Sequence, residues 1–458
     1  MAETEKVAGG VVKERERIAN PSQELEQNIQ KLVKFGGFEM LETVIEGTQN
    51  LNPSKKARKK IFLGEADKKA EREQLKRRLE LWYDMVASNG DVSQMIESCQ
   101  AKADSATACL QENLGKAIEA VKDLERSYRS VAHFFGNCDT DKVKNLSVMN
   151  ADMEQLRDLD NPLYINAVAE EFKANYDRLD LRDNYSLLVI PGYLGSKKVV
   201  DKWARIAHEN KVMMITDFEH LDSPDDVAEL FEMANLTGGD AYLSNVIMTC
   251  NWLVGRGKYQ ELNEEDDLYV PPSTALAGRI YSTLMSQVTA GRKFGSLNDV
   301  DGVKFPLKKS EIATLEKAGL VPMVNEYGKV MAFSAKTLFN GDNLGLQTYS
   351  VVRVFDWVTK VLIDFLNRRA FENFNFNTRN DIQKQIVKFL DGITGPGKLI
   401  EKFKILRFEQ DPNQKDRIFL DIYMVPYFPA KSYMLKLDGQ KGIDLDSPEW
   451  AAEYAQEG

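Results

Sequence analysis

"YSLLVIPGYLG", Tyr185–Gly195, is a short apolar run that stops at a proline and two glycines. Turn residues close it, and no polar residue interrupts Leu187–Ile190, so it reads as a strand buried on both faces. The theme repeats downstream. Val199, Val200, Trp203, Ile206 and Ala207 share one helical face, and "KVMMITDF" (Lys211–Phe218) is a second strand. Ser223-Pro224-Asp225-Asp226 supplies a cap and first-turn acids for another helix. "AYLSNVIMTC" (Ala241–Cys250) is a third strand. Strand, helix, strand, helix, strand implies parallel pairing with right-handed crossovers. The expected fold class is α/β within a mixed α+β chain.

Further on, "PPSTALAGRIYSTLM" (from Pro271) reads as a helix after its prolines. Ser310 is expected to cap a short helix ending at Gly319, a left-handed terminator. A hairpin follows, turning at "NEYGK". A long helix, about Gln347–Phe371, turns Val351, Phe355, Val358, Leu362, Phe365 and Arg369 inward. The next, Thr378–Asp391, buries Ile382, Ile386, Phe389 and Leu390. "KFKILRFEQ", "RIFLDIYMVPYF" and "KSYMLKLDG" are alternating runs separated by turn residues, an antiparallel signal. The acidic tail "QKGIDLDSPEWAAEYAQEG" is expected to be peripheral.

Upstream of Asn161-Pro162, helices dominate from about residue 66 to 135. Leu75, Leu79, Trp82 and Val86 form one stripe. Leu114, Ile118, Val121, Leu124, Val131 and Phe135 form another, and both read as core. Asn20-Pro21 opens an amphipathic segment with Leu25, Ile29, Leu32 and Val33 on one face. Gly36-Gly37 interrupts it, and it resumes at Phe38, Leu41, Val44 and Ile45. Residues 20–47 are thus two half-helices, either a handle that docks in a groove or a face of the core. Val11 and Val12 are the small apolar patch of a polar arm. "NPSKKARKKIF" (Asn52–Phe62) is basic, which fits an anionic partner but more often marks a solvated face. The expected organisation is an arm and amphipathic helix (1–60), a helical region (61–160), an α/β domain (161–270), a C-terminal core domain (271–438) and the acidic tail (439–458).

The chain has 458 residues, 43% of them hydrophobic, with a formal net charge of −10. The charge argues against general nucleic-acid binding, which favours a basic surface. No apolar window is long enough to span a membrane, and the first residues lack the apolar core of a signal peptide. Four scattered cysteines, Cys99, Cys109, Cys138 and Cys250, suit free thiols in a reducing compartment. Three stretches invite a test for chemistry. "PGYLGSKK" has glycines and lysines after a strand but neither phosphate-loop nor dinucleotide spacing. "TDFEH" puts Asp217, Glu219 and His220 at a strand end, where α/β proteins often bind ligands. "NEEDD" (Asn263–Asp267) is acidic but lacks a calcium-loop pattern. A ligand-binding enzyme using Tyr193, Asp217 and His220 is the rival reading. No complete motif supports it, so no catalytic, cofactor-binding or metal residue is assigned and no enzyme is expected.

Taken in order, other segments resemble a known family. "VIEGTQNLN" is similar to the early "VLEG" segment of the large subunit of the type VI secretion contractile sheath, which is related to contractile phage tail sheaths. "LERSYRSVAHFF" (Leu124–Phe135) resembles that family's "LE-x-x-WRGL-x-x-L" helix, with Tyr128 where Trp is usual. "KNLSVMNADMEQLRDL" resembles its next strand and helix. "PPSTALAGRIY", "EIATLEKAGLVPMV" and "YSVVRVFDWVTKVLID" resemble later helices and the hairpin. The set spans roughly residues 40–437.

The resemblance implies a cytoplasmic structural subunit without a cofactor. Its implied partners are a small sheath subunit packing on the helical region, copies of itself in a six-fold helical lattice, an inner tube protein, a baseplate and a hexameric AAA+ unfoldase. It implies no nucleic acid and no membrane insertion. Strand addition between neighbours is expected. Ile418, Leu420, Ile422 and Met424, with Tyr433, Leu435 and Leu437 on the following strand, are the expected platform, and Val11 and Val12 the donor arm. Leu25, Ile29, Leu32, Val33, Leu41 and Ile45 are the expected unfoldase-docking face. A sheath protein of a phage-tail-like extracellular particle is the nearest alternative.

Overall fold

The computed structural model describes residues 66–88, 91–182, 184–439 and 450–456. The arm with Val11 and Val12, the segment carrying Leu25 to Ile45 and the basic run lie outside the described residues. The chain divides into two compact units between residues 120 and 121.

In the first unit, α1 (Lys69–Ser88) is followed by the start of α2 (Val92–Asn137). Leu75, Met95 and Cys99 are buried, and Leu79, Trp82 and Val86 are half-buried, in line with the expected stripe.

The second unit continues through α3 (Met153–Arg157), α4 (Leu163–Tyr176), β1 (Leu187–Ile190), α5 (Lys197–Glu209), β2 (Met213–Asp217), α6 (Pro224–Ala234) and β3 (Val246–Cys250). Then come β4 (Leu253–Arg256), β5 (Leu268–Val270), α7 (Ser273–Ser282), α8 (Gly291–Phe294), β6 (Gly302–Val303), α9 (Lys309–Ala318), β7 (Leu320–Glu326) and β8 (Lys329–Ala332). The central sheet has the order β1-β2-β3-β7-β8. Its first four strands are parallel and β8 returns antiparallel. Side chains alternate between its faces. Met214, Val246, Met248 and Leu320 join the core under α4, α5, α6 and α9. Met213, Ile215, Ile247 and Val321 join the core under α7. Apolar residues on both faces are why these strands read as unbroken runs. The hairpin turns at Tyr327-Gly328, whose φ angles of 55° and 72° are the left-handed values a tight two-residue turn requires.

Two boundaries differ from the sequence reading. Ala241–Asn245 is a 3-10 turn, because Ser244 bonds back to the Ala241 carbonyl and Asn245 donates to the Val212 carbonyl (3.1 Å). Helix α9 starts one residue before Ser310. Its end is closed by the Lys308 amide on the Glu311 carboxylate (2.7 Å), and Gly319 terminates it with φ 109°.

The C-terminal part comprises α10 (Tyr349–Arg368), α11 (Phe376–Ile393), β9 (Ile400–Gln410), β10 (Ile418–Pro426), β11 (Tyr433–Gly439) and β12 (Trp450–Gln456). Helix α10 lies between two cores: Tyr349 and Val352 join the sheet core, and Val354 and Val358 the cluster formed with α11, β9 and β10. Its buried face is therefore broader than one stripe and includes Arg353, Lys360 and Asp364, whereas Phe355 is exposed. In α11, Ile382, Ile386 and Leu390 are buried as expected.

The pairing of the last strands adds detail to two expectations. β10 pairs with β9 and β11 with β12, so the strands of Ile418–Met424 and Tyr433–Leu437 belong to separate two-stranded sheets rather than one platform. The tail contributes a strand of its own. Its Trp450–Gln456 run is a full strand, in register from Gly439↔Trp450 to Tyr433↔Gln456.

Candidate functional site

The residues of the rival enzyme reading are committed elsewhere. Asp217 is fully buried at the end of β2. It accepts from the Gly192 amide (2.8 Å), the Ser273 amide (2.7 Å), the Ser273 hydroxyl (2.6 Å) and the Thr249 hydroxyl. Burial pushes its pKa up to about 6, against the pull of these donors. A carboxylate so placed ties the β1 exit, β3 and the α7 N-terminus together, and has no accepting position aimed at a ligand. Tyr193 packs edge-on against Phe218, and His220 lies between the rings of Trp252 and Tyr269. The three side chains share no hydrogen bond. Gly192 and Gly195 have φ of 97° and 85°, which makes "PGYLG" turn punctuation. In "NEEDD", Glu264 pairs with Arg256 (2.7 Å) and Asp267 accepts from the Lys258 amide. Among the described residues, no group of three or more His, Cys, Asp or Glu could hold a metal ion. No helix among them is long and apolar enough to cross a membrane.

The conspicuous feature is uncovered apolar surface on two elements. Of the stripe expected in the core, Ile118 is half-buried, whereas Leu114, Val121, Leu124, Val131 and Phe135 are exposed; Leu124 and Tyr128 are each 72% exposed. With Leu110 and Ala117 they follow one another at intervals of four and three residues, the 3.5-residue repeat of a helix-pairing seam. The physical reason for the inversion lies on the opposite face. Arg126 donates to the Tyr269 carbonyl (3.1 Å) and Arg129 to the Gly255 carbonyl (2.8 Å). Glu125 meets Arg256 (3.1 Å), and Asn137 exchanges hydrogen bonds with the Asn298 backbone. Ser130, His133 and Asn137 are the buried residues here. The C-terminal half of α2 thus docks by side-chain-to-backbone bonds and leaves its apolar seam free. Periodicity reveals that such a face exists but not what covers it.

The second surface is the β11–β12 pair. Tyr433 (66%), Leu435 and Leu437 are exposed on one face of β11, which is therefore apolar and uncovered, and Met434 (79%) is exposed on the other beside Lys436 and Asp438. Of the other expected platform residues, Leu420, Ile422 and Met424 pack partly against the cluster under α11, and Ile418 is at the surface. Sequence reasoning missed β12. Its alternation is carried by small alanines in "WAAEYAQ", which give a weak strand signal beside acidic neighbours.

No curated protein matches the chain. Among solved structures, similar chains occur in the anti-feeding prophage baseplate (15% identity, 67% of this chain and 84% of that one, TM-score 0.46) and in the contracted helical sheath of the same particle (17%, 70% and 81%, TM-score 0.45). Another occurs in the contracted PVC sheath complex of an extracellular contractile injection system (14%, 66% and 97%, TM-score 0.42). Family models match three consecutive stretches: the TssC/VipB-like N-terminal region over 25–114, the type VI secretion system TssC/VipB central domain over 116–340, and the TssC/VipB-like C-terminal domain over 348–456. With its length covered in this order, the chain belongs to the TssC/VipB family, the large sheath subunit of the type VI secretion system.

Proposed function

We propose that this chain pairs with a small sheath subunit, polymerises with it around an inner tube and contracts to drive that tube forward. The carrying observation is the free seam of α2, from Leu110 to Phe135. Burying each large side chain of such a seam is worth about 1.5–3 kcal/mol, which a soluble chain forgoes only where a partner supplies the burial. The small subunit packs a helix there. The pairs form a six-fold helical lattice whose heterologous contacts make an open filament on a baseplate. The exposed β11–β12 pair, with the unpaired edge of β10, is where neighbouring chains add strands, and the arm with Val11 and Val12 is the donor. The segment from Leu25 to Ile45 is the handle gripped by an AAA+ unfoldase. Contraction is a rigid-body change between two packings. In this reading the sheath lies in the cytoplasm, and the chain itself has neither cofactor nor catalysis.

The test is co-expression with the small subunit, read by negative-stain microscopy and co-purification. Tubules are expected with the wild-type chain. A Leu124→Glu, Tyr128→Glu double variant should keep the far-ultraviolet spectrum of the wild type but lose the small subunit and the tubules. A wild-type chain that remains a well-behaved monomer at high concentration, indifferent to the partner, would count decisively against the reading.

A further inference from the structure

Helix α10 carries two buried charged groups, Lys360 and Asp364, and a half-buried amide, Asn367. Lys360, Asp364 and Asn367 follow one another along one face, and each meets the chain that leads from α4 into β1. Asn367 Nδ2 donates to the Leu179 carbonyl (3.2 Å). Asp364 Oδ1 accepts from the Leu181 amide (2.9 Å). Lys360 Nζ donates to the Tyr185 carbonyl (2.7 Å) and to Asn184 Oδ1 (3.2 Å). Moving along the helix by i, i+4 and i+7 thus reads backwards along the incoming chain, from Tyr185 to Leu181 to Leu179. Lys360, Asp364 and Leu181 are each under a tenth exposed.

We propose that the chain at 179–182 and 184–185 is a strap, held by Lys360, Asp364 and Asn367 as one cooperative unit, that couples the C-terminal part to the edge of the central sheet. β1 begins two residues beyond Tyr185 and is an edge strand, paired on one side by β2. The strap therefore sets how the edge strand is presented. Its anchor belongs to the stretch that matches the C-terminal domain, whereas the strap belongs to the central one. Apolar packing would yield gradually. Buried charged and amide groups make discrete bonds, and losing one partner leaves the other unsatisfied, which favours release as a unit.

The test is hydrogen exchange, read by mass spectrometry on the full-length protein as purified. The peptides cover 177–183, 184–190 and, as a control, 211–218. In Lys360→Met the stem is kept and the donor is lost. Both strap peptides should exchange at least tenfold faster, with the control unchanged. The informative one is 177–183, which contains no residue that Lys360 touches. Lys360→Gln, which keeps a donor, should stay within about fivefold of the wild type, the factor that loss of one donor bond of about 1 kcal/mol gives. No change at 177–183 in Lys360→Met would overturn the strap as a unit. Equal acceleration of the control peptide would overturn it as well, by showing general loosening. Because the readout needs no polymer, its outcome is separate from that of the sheath reading.

Discussion

At the residue scale, Asp217 separates a structural carboxylate from a catalytic one. Its position at a parallel strand end is legible in "TDFEH". Its partners are not, because Gly192, Thr249 and Ser273 converge on it only through the fold. The pKa of about 6 lies above the unfolded value of ~3.9, so the folded state holds the proton more tightly. For this group, stability is greatest below the unfolded pKa. It declines as pH rises through the window up to about 6, by on the order of 3 kcal/mol in all. Asp217→Asn cannot ionise and should lack this decline. Urea midpoints at pH 4.5 and pH 7 check it: the difference between the two pH values should shift toward relative stability at pH 7 in the variant. Identical pH dependence in both proteins would mean that Asp217 titrates normally. Asp217→Ala leaves four donors without an acceptor in a buried site, and should destabilise by several kcal/mol, on the order of 3 or more.

At the element scale, α2 and α7 cross with their backbones nearly touching. A Cβ on Gly278 would stand 2.3 Å from the Phe134 carbonyl oxygen. In an exposed helix, Gly→Ala stabilises by about 1 kcal/mol. Here the added carbon must push the helices apart, and overpacking of this kind costs about 1–3 kcal/mol. Gly278→Ala is therefore expected to lower the melting midpoint, and a rise would show that the crossing relaxes freely. The opposing effects differ in sign, so the experiment has a clear reading.

The same elements show what sequence conveys and what it withholds. The parallel strands were legible because apolar side chains pack on both faces, so no polar residue breaks Leu187–Ile190 or Met213–Ile215. The hairpin was legible because Tyr327-Gly328 follows closely on an apolar run. The seam of α2 was legible as a stripe and misread as core, since the docking of its polar face depends on carbonyls of Gly255 and Tyr269 more than a hundred residues away. The candidate assembly surface was thus visible as a pattern, but its exposure was not.

At the scale of the whole molecule, the C-terminal strands carry the assembly prediction. Ile422 pairs with Ile405 in the β9–β10 ladder, beside a register shift at Asp421/Ile422. A proline there removes a ladder bond, so Ile422→Pro should abolish tubules. Leu435→Lys is the gentler probe, because Leu435 is already exposed and the chain should fold unchanged. Micrographs and circular dichroism together separate the outcomes. Normal tubules in Leu435→Lys would exclude β11 from the contacts between subunits.

The free seam of α2 also bears on how such a chain must be made in a cell. A polypeptide that leaves the ribosome with Leu114, Val121, Leu124 and Tyr128 facing water is a client for chaperones and proteases until something lies over them. In the proposed assembly its abundance would follow the supply of the subunit that covers the seam rather than its own rate of synthesis. Surplus copies would be degraded or aggregate, and stoichiometry would be enforced after translation by the chemistry of one helix face.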